Sequence, residues 1–219
     1  MIKTEVQGEE LWLLPERAVY WPRGRALIIA DPHFGKAATF RAAGIPVPGG
    51  TTAEMLRRLD AALDGSGAAR LLVLGDLLHA RAGRAPRTLE LVAAWRAARP
   101  ALRLTLIRGN HDRRAGDPPA DWAVECLDAP VIEPPFVWLH EPLAADHGPL
   151  TTDHYPLAGH VHPAVALGGG ARALTLPCFY FGRDYALLPA FGEFTGTAVV
   201  RPRAGERVFV LADGEIIAK

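Results

Sequence analysis

RLTLIRGNHDRR, residues Arg103–Arg114, starts as an alternating, largely apolar run and ends in an amide, an imidazole, a carboxylate and two arginines. Short runs rich in Leu, Ile and Val, cut off by Gly or an acid, read as buried strands. A turn after such a strand needs Gly, Asn or Asp only for its backbone angles, so Gly109-Asn110 gives no reason for His111 and Asp112. What decides the reading is recurrence. RALIIA (25–30) is followed by Asp31 and His33, RLLVLG (70–75) by Asp76, and PFVWL (135–139) by His140. Gly159-His160-Val161-His162 comes soon after.

Helical patterns separate the first runs. In TTAEMLRRLDAAL (51–63), Thr51 is the expected N-cap, Glu54 completes a capping box, and Met55, Leu56, Leu59 and Leu63 form the apolar stripe. APRTLELVAAWRAARP (85–100) has Pro86 in its first turn, Leu89, Val92, Ala93 and Trp95 as apolar positions, and Pro100 as its stop. After residue 157 the texture changes to hairpins. AVALGGGARALTL (164–176) turns on glycines, and FVLADGEII (209–217) turns on Asp213-Gly214, a pair suited to a type I′ turn. Strand–helix alternation followed by strands predicts one α/β domain over residues 1–219, built on two sheets.

The bulk numbers fit that expectation. The chain has 219 residues, 49% of them hydrophobic, which is enough for a large core. No apolar stretch is long enough for a membrane span, and the acidic N-terminus lacks the basic region of a signal peptide. Cys126 and Cys178 are isolated and read as buried thiols. A cytoplasmic location is expected. Net charge is zero, so no global field attracts nucleic acid, but nine arginines lie between Arg81 and Arg114 against only Glu90 and Asp112. Such an excess is either a solvated face or a phosphate-attracting one.

In sheets with helical crossovers, ligand-binding groups collect beyond the carboxyl ends of the strands. Asp31, His33, Asp76, Asn110, His140, His160 and His162 therefore have a way to converge. These seven oxygen and nitrogen donors suit two hard or borderline divalent ions, and the lack of thiolate argues against a closed structural zinc site.

The series D-P-H, G-D, G-N-H-D, a lone His after a strand and G-H-V-H resembles the calcineurin-like metallophosphoesterases. A longer likeness covers nearly the whole chain: YWP, DPHFGKAATFRAAGIPVP, GDLLHARAGR, RGNHDRRAG, LAGHVHPAV, LPCF and LPAFGEFTG are similar to the bacterial ligase-associated DNA-damage-response endonucleases (the PdeM family). The resemblance implies a four-layer α/β/β/α sandwich of two mixed sheets flanked by helices, and manganese-dependent phosphodiesterase activity on DNA, with iron or zinc as alternative metals. It also implies functional association with a DNA ligase, a helicase and an exonuclease, and a homodimer is compatible with it. Asp31, His33 and His162 would hold one ion, Asn110, His140 and His160 the second, and Asp76 would bridge them. His111 would be the unliganded proton donor, oriented by Asp112.

With the site so placed, Arg81, Arg84, Arg113 and Arg114 become candidates for holding phosphates that flank the scissile one. Lys36, three residues after His33, either reaches a phosphate or caps the next turn. His147 and His154 sit in a polar loop and read as solvent-facing, and the five tryptophans read as packing. His79 and FGEFTG belong to the resemblance, but their chemistry suggests no role. The alternative on the same donors is a small-molecule phosphodiesterase or phosphatase acting on nucleotides. A non-catalytic scaffold would have no use for a full donor set plus His111.

Overall fold

A computed structural model describes residues 1–142, 154–168 and 174–219; His147 and the glycine turn after Gly168 lie outside them. The opening run is β6 (Arg103–Ile107), inside a seven-stranded sheet. In spatial order the sheet is β1 (Ile2–Val6), β2 (Glu9–Leu14), β3 (Ala18–Trp21), β4 (Ala26–Ala30), β5 (Arg70–Leu74), β6 and β7 (Val124–Leu127). The first four strands are antiparallel neighbours, and β4 to β7 run parallel. Parallel strands need crossovers. Helices α1 (Lys36–Ala42) and α2 (Thr51–Ser66) lie between β4 and β5, and α3 (Pro86–Ala97) between β5 and β6.

The second sheet is also mixed. β8 (Val131–Glu133), β9 (Phe136–Trp138), β10 (Tyr155–Ala158), β13 (Ala186–Leu187), β12 (Leu174–Phe181), β11 (Pro163–Leu167) and β14 (Ala198–Val199) follow one another across it, and β15 (Arg207–Ala212) and β16 (Glu215–Ala218) extend it from β12. Both expected hairpins are present: β11 pairs with β12 and β15 with β16, with Asp213 and Gly214 both at positive φ.

Alternation along the strands builds the layers, because successive side chains face opposite ways. Leu27 and Ile29 on β4, with Leu71 and Val73 on β5, pack against Met55, Leu56, Leu59 and Leu63 of α2 and Val92 of α3. Ile28 and Leu72 point to the other face, where they meet Phe136, Trp138, Leu157 and Phe179 of the second sheet. Burying each of these large side chains stabilises the fold by roughly 1.5–3 kcal/mol. The outer face of the second sheet carries Val137, Leu139, Cys178, Tyr180 and Val210, packed with Val161, Leu176 and Val200. The fold is thus an α/β architecture of two mixed sheets, and among the described residues the long helices α2 and α3 cover the first sheet.

One local expectation needs correction. Helix α2 starts one residue earlier than its sequence suggests: Gly50, at φ 81°, is the N-cap and no side chain caps the helix. Only glycine enters that backbone region freely, so the turn at Gly50 takes over, and Thr51 becomes the first helical residue. Pro86 does open α3.

A polar clasp joins the two sheets. Arg70 at the start of β5 makes two hydrogen bonds to Glu133 of β8, at 2.7 and 2.9 Å, and Trp138 Nε1 donates to the same carboxylate at 3.1 Å. Arg70 holds the Glu133 carboxyl below its ordinary pKa, so this stabilisation is present above the unfolded carboxylate's pKa and disappears as pH falls through the lowered folded value. Glu133→Gln should lower stability by about 1 kcal/mol at neutral pH. In denaturant titrations its deficit against wild type should shrink as the pH falls through the Glu133 titration.

Candidate metal centre

The donors occupy the carboxyl ends of strands from both sheets. Asp31 follows β4, Asp76 follows β5, Asn110 follows β6, His140 follows β9 and His160 follows β10. Asp31, His33, Asp76 and His140 are buried. Two donor groups result, each with its nitrogen and oxygen atoms within 4.8 Å of one another: Asp31 with His33 and His162, and Asp76 with His140 and His160. Asn110 joins the second group through its Oδ1, 3.0 Å from His140 Nε2. The Asp76 carboxylate stands between the two groups, with Oδ2 3.8 Å from His33 Nε2 and Oδ1 3.5 Å from His140 Nε2. All seven expected donors are therefore in one place.

The other ring nitrogens orient the imidazoles. His140 Nδ1 donates to Leu74 O at 3.1 Å, which leaves Nε2 with a lone pair for the centre. His162 Nδ1 donates to Gly196 O at 2.8 Å, and its Nε2 faces Asp31 Oδ1 at 3.6 Å. Burial, with help from Lys36 and the neighbouring histidines, depresses His33 to about 2, so it is neutral, the form a ligand requires.

The backbone here is strained. Asp31, His33, Asp76, His160 and His162 all have positive φ, between 48° and 65°. Side-chain-bearing residues avoid this region, and each instance costs of order 1 kcal/mol or more. Space is equally tight. A Cβ on Gly75 would overlap the His140 imidazole, and one on Gly109 would overlap Asp76 Oδ1.

Asp112 does not orient His111. Its carboxylate accepts from Asp76 N at 2.7 Å, Gly109 N at 2.9 Å and Leu78 N at 3.2 Å. From the third position of helix α4 (Asn110–Ala115) it reaches back to the N-cap and clasps the neighbouring loop. Burial pushes its carboxyl up to about 6, against the pull of the Gly109 and Leu78 N–H groups. His111 is oriented by backbone instead. Its Nδ1 lies 2.6 Å from His79 O, and its Nε2 stands 4.0 Å from Asp76 Oδ2.

His79 is the residue to which sequence reasoning gave no role. Besides offering that carbonyl, it stacks on the His111 ring at 4.8 Å, and its Nδ1 is 3.3 Å from His33 Nδ1. Its position three residues after Asp76 was the available signal. FGEFTG also gains a place, since Gly196 supplies the carbonyl that fixes His162.

The four candidate arginines divide. Arg84 is drawn to the end of α4, where it donates to Ala115 O, Gly116 O and Asp117 O, so it secures this loop. Arg81 Nε donates to Arg114 O, Arg113 lies 3.8 Å from Asp128, and Arg81, Arg113 and Arg114 are all exposed. Lys36 is half-buried in the field of Asp31 and Asp76. His154 is partly buried rather than fully solvent-facing.

The donor set fits a pair of divalent cations. Asp31 is fully buried, yet its Oδ1 has no hydrogen-bond partner among the described residues. A buried carboxylate oxygen without a donor is costly, and a cation in contact with it removes that cost.

Comparison with known proteins points the same way. The family model for calcineurin-like phosphoesterases matches residues 24–171, a span that contains all seven donors and His111. The crystal structure of the nuclease MPE from Pseudomonas putida is similar at 43% identity and TM-score 0.86, over 100% of this chain and 99% of that one. YfcE, a phosphoesterase from E. coli, is 17% identical with TM-score 0.40, over 88% of this chain and 96% of that chain. A Vps29 mutant from Entamoeba histolytica is 13% identical with TM-score 0.36, over 89% and 96%. These last two likenesses are too loose to build on. No curated protein matches the chain.

Asp112→Ala would strand three backbone N–H groups beside the centre. It should cost roughly 3 kcal/mol in denaturant unfolding, and Asp112→Asn, which keeps one acceptor oxygen, should recover part of the loss.

Proposed function

The chain belongs to the calcineurin-like phosphoesterase family, and on that premise we propose that it is a two-metal phosphodiesterase that cuts DNA, with manganese as its metal and DNA repair as its setting. The observation that carries this reading is the placement of Asp76, whose two carboxylate oxygens face the two donor groups on either side. The likeness to a nuclease along the full chain directs the substrate towards nucleic acid.

Asp31, His33 and His162 would hold one ion and Asn110, His140 and His160 the other, with Asp76 shared. Two divalent ions so held supply the Lewis acidity that hydrolysis of an anionic diester needs. The remaining steps fall to the chain itself. His111, when protonated, keeps its Nδ1–H on His79 O and presents Nε2–H towards the centre. It would give that proton to the departing oxygen and be left as the tautomer that the His79 carbonyl already favours. The His111 N–H donates to Asp76 Oδ1 at 2.9 Å and the His160 N–H to Asp31 Oδ2 at 2.8 Å. These bonds hold the carboxylates in place while charge moves. Arg81, Arg113 and Arg114 supply cations at the rim, where phosphates on either side of the cleaved one would pass.

His111→Ala should bind Mn²⁺ and unfold like wild type, yet lose diesterase activity by about 10²–10⁴-fold. Undiminished turnover in that variant would reject the proton-transfer role. Turnover on DNA should also fall steeply with added salt, because bound phosphates release counterions, whereas turnover on a mononucleotide diester should change little. Robust cleavage of the mononucleotide diester with none of DNA would instead identify a small-molecule enzyme.

A further inference from the structure

Residues 190–198 are fastened to the metal-ligand loops at both ends. Phe191 N donates to Ala30 O at 2.7 Å and Gly192 N to Asp31 O at 3.0 Å. At the far end, Gly196 O accepts from His162 Nδ1, and Ala198 N donates to His162 O at 3.1 Å. Two arginines tighten the near end. Arg17 donates to Ala190 O and Gly192 O, while Arg58 contacts Phe191 O, lies over the Phe191 ring at 4.5 Å and pairs with Glu193 at 3.6 Å.

Phe194 sits at the middle of this fastened segment. Phe191 is fully buried, but Phe194 is 45% exposed and has φ 57°. A single exposed aromatic is ordinary on a protein surface. This one is different in combination: it adopts a backbone conformation that bulky residues avoid, it gains little from burial, and both neighbours two residues away are bonded to metal-ligand segments. Two residues of chain span at most about 7 Å, so its backbone cannot stray from the centre. A segment held this firmly costs little entropy when a flat group settles on it.

We propose that Phe194 is a stacking platform for a nucleobase beside the phosphate being cut. The proposal rests on the nuclease reading above and deepens it by naming the part of the substrate this wall receives. The apolar face of a base covers the exposed ring, whichever base it is, because every base has a π-face. The exposed cations Arg113 and Arg114 would handle phosphates, so base and backbone contacts are divided between two chain segments.

The test uses the full chain loaded with Mn²⁺ and two probes, a thymidine dinucleotide and its abasic counterpart, each with one scissile phosphate. Wild type should prefer the base-bearing probe in kcat/KM by about 10-fold, the scale of one base–aromatic stack. In Phe194→Ala that ratio should fall to about one, and Phe194→Trp should restore it. Thermal melting of Phe194→Ala should match wild type, since the ring is half exposed. A ratio unchanged in Phe194→Ala, or an equal loss on both probes, overturns the platform while leaving the nuclease reading intact. Absence of wild-type cleavage of either probe and of longer DNA overturns both.

Discussion

Two carboxylates taken out of water set the terms for this molecule. Asp31 and Asp76 sit at the ends of adjacent parallel strands, both buried, and burial, with the charge of Asp31 adding to it, raises the Asp76 carboxyl pKa. Isolated buried anions are among the most expensive features a fold can carry. Burial depresses the His33 imidazole to about 2, so it is a neutral ligand rather than a counter-cation, whereas His162, despite its burial, is raised by Asp31. The arrangement makes physical sense around divalent cations, and the rest of the site follows from the need to aim donors at them.

That aim is achieved by backbone more than by side chains. Carbonyls of Leu74, His79 and Gly196 each take a ring N–H, so three imidazoles owe their orientation to main chain. Asp112 acts on main chain as well, holding the N–H groups of Asp76, Leu78 and Gly109 in one carboxylate. Five donors in left-handed conformations are affordable because these loops are bonded to one another: His33 N to Asp76 O, Phe34 N to Leu77 O, Gly159 N to His140 O. Strain concentrated at functional groups and compensated by the scaffold is a familiar pattern.

Much of this was legible in the amino-acid order. Apolar runs ending in Asp31, Asp76, Asn110 and His140 locate the strands, and the carboxyl-end rule brings their donors together. The hairpin at Asp213-Gly214 and the proline start of α3 are local signals that the fold obeys. What escaped was non-local or carried by backbone. The family likeness assigns Asp112 to His111, yet its partners Asp76 and Leu78 lie more than thirty positions away. His79 and FGEFTG act partly through carbonyl groups, which every residue has, so no side chain announces them. The Thr51–Glu54 capping pattern lost to Gly50 because a glycine turn fixes where the helix begins. Arg84 looked like a phosphate hook because its charge was visible and the bare carbonyls after α4 were not.

The donors are spread from Asp31 to His162, drawn from both sheets and from both halves of the chain. A ribosome that has delivered only the first sheet has made Asp31, His33, Asp76 and Asn110 but none of the three later imidazoles. The nascent polypeptide at that stage lacks a complete pocket for either ion. Assembly of the metal centre is thereby tied to the later synthesis and pairing of the second sheet.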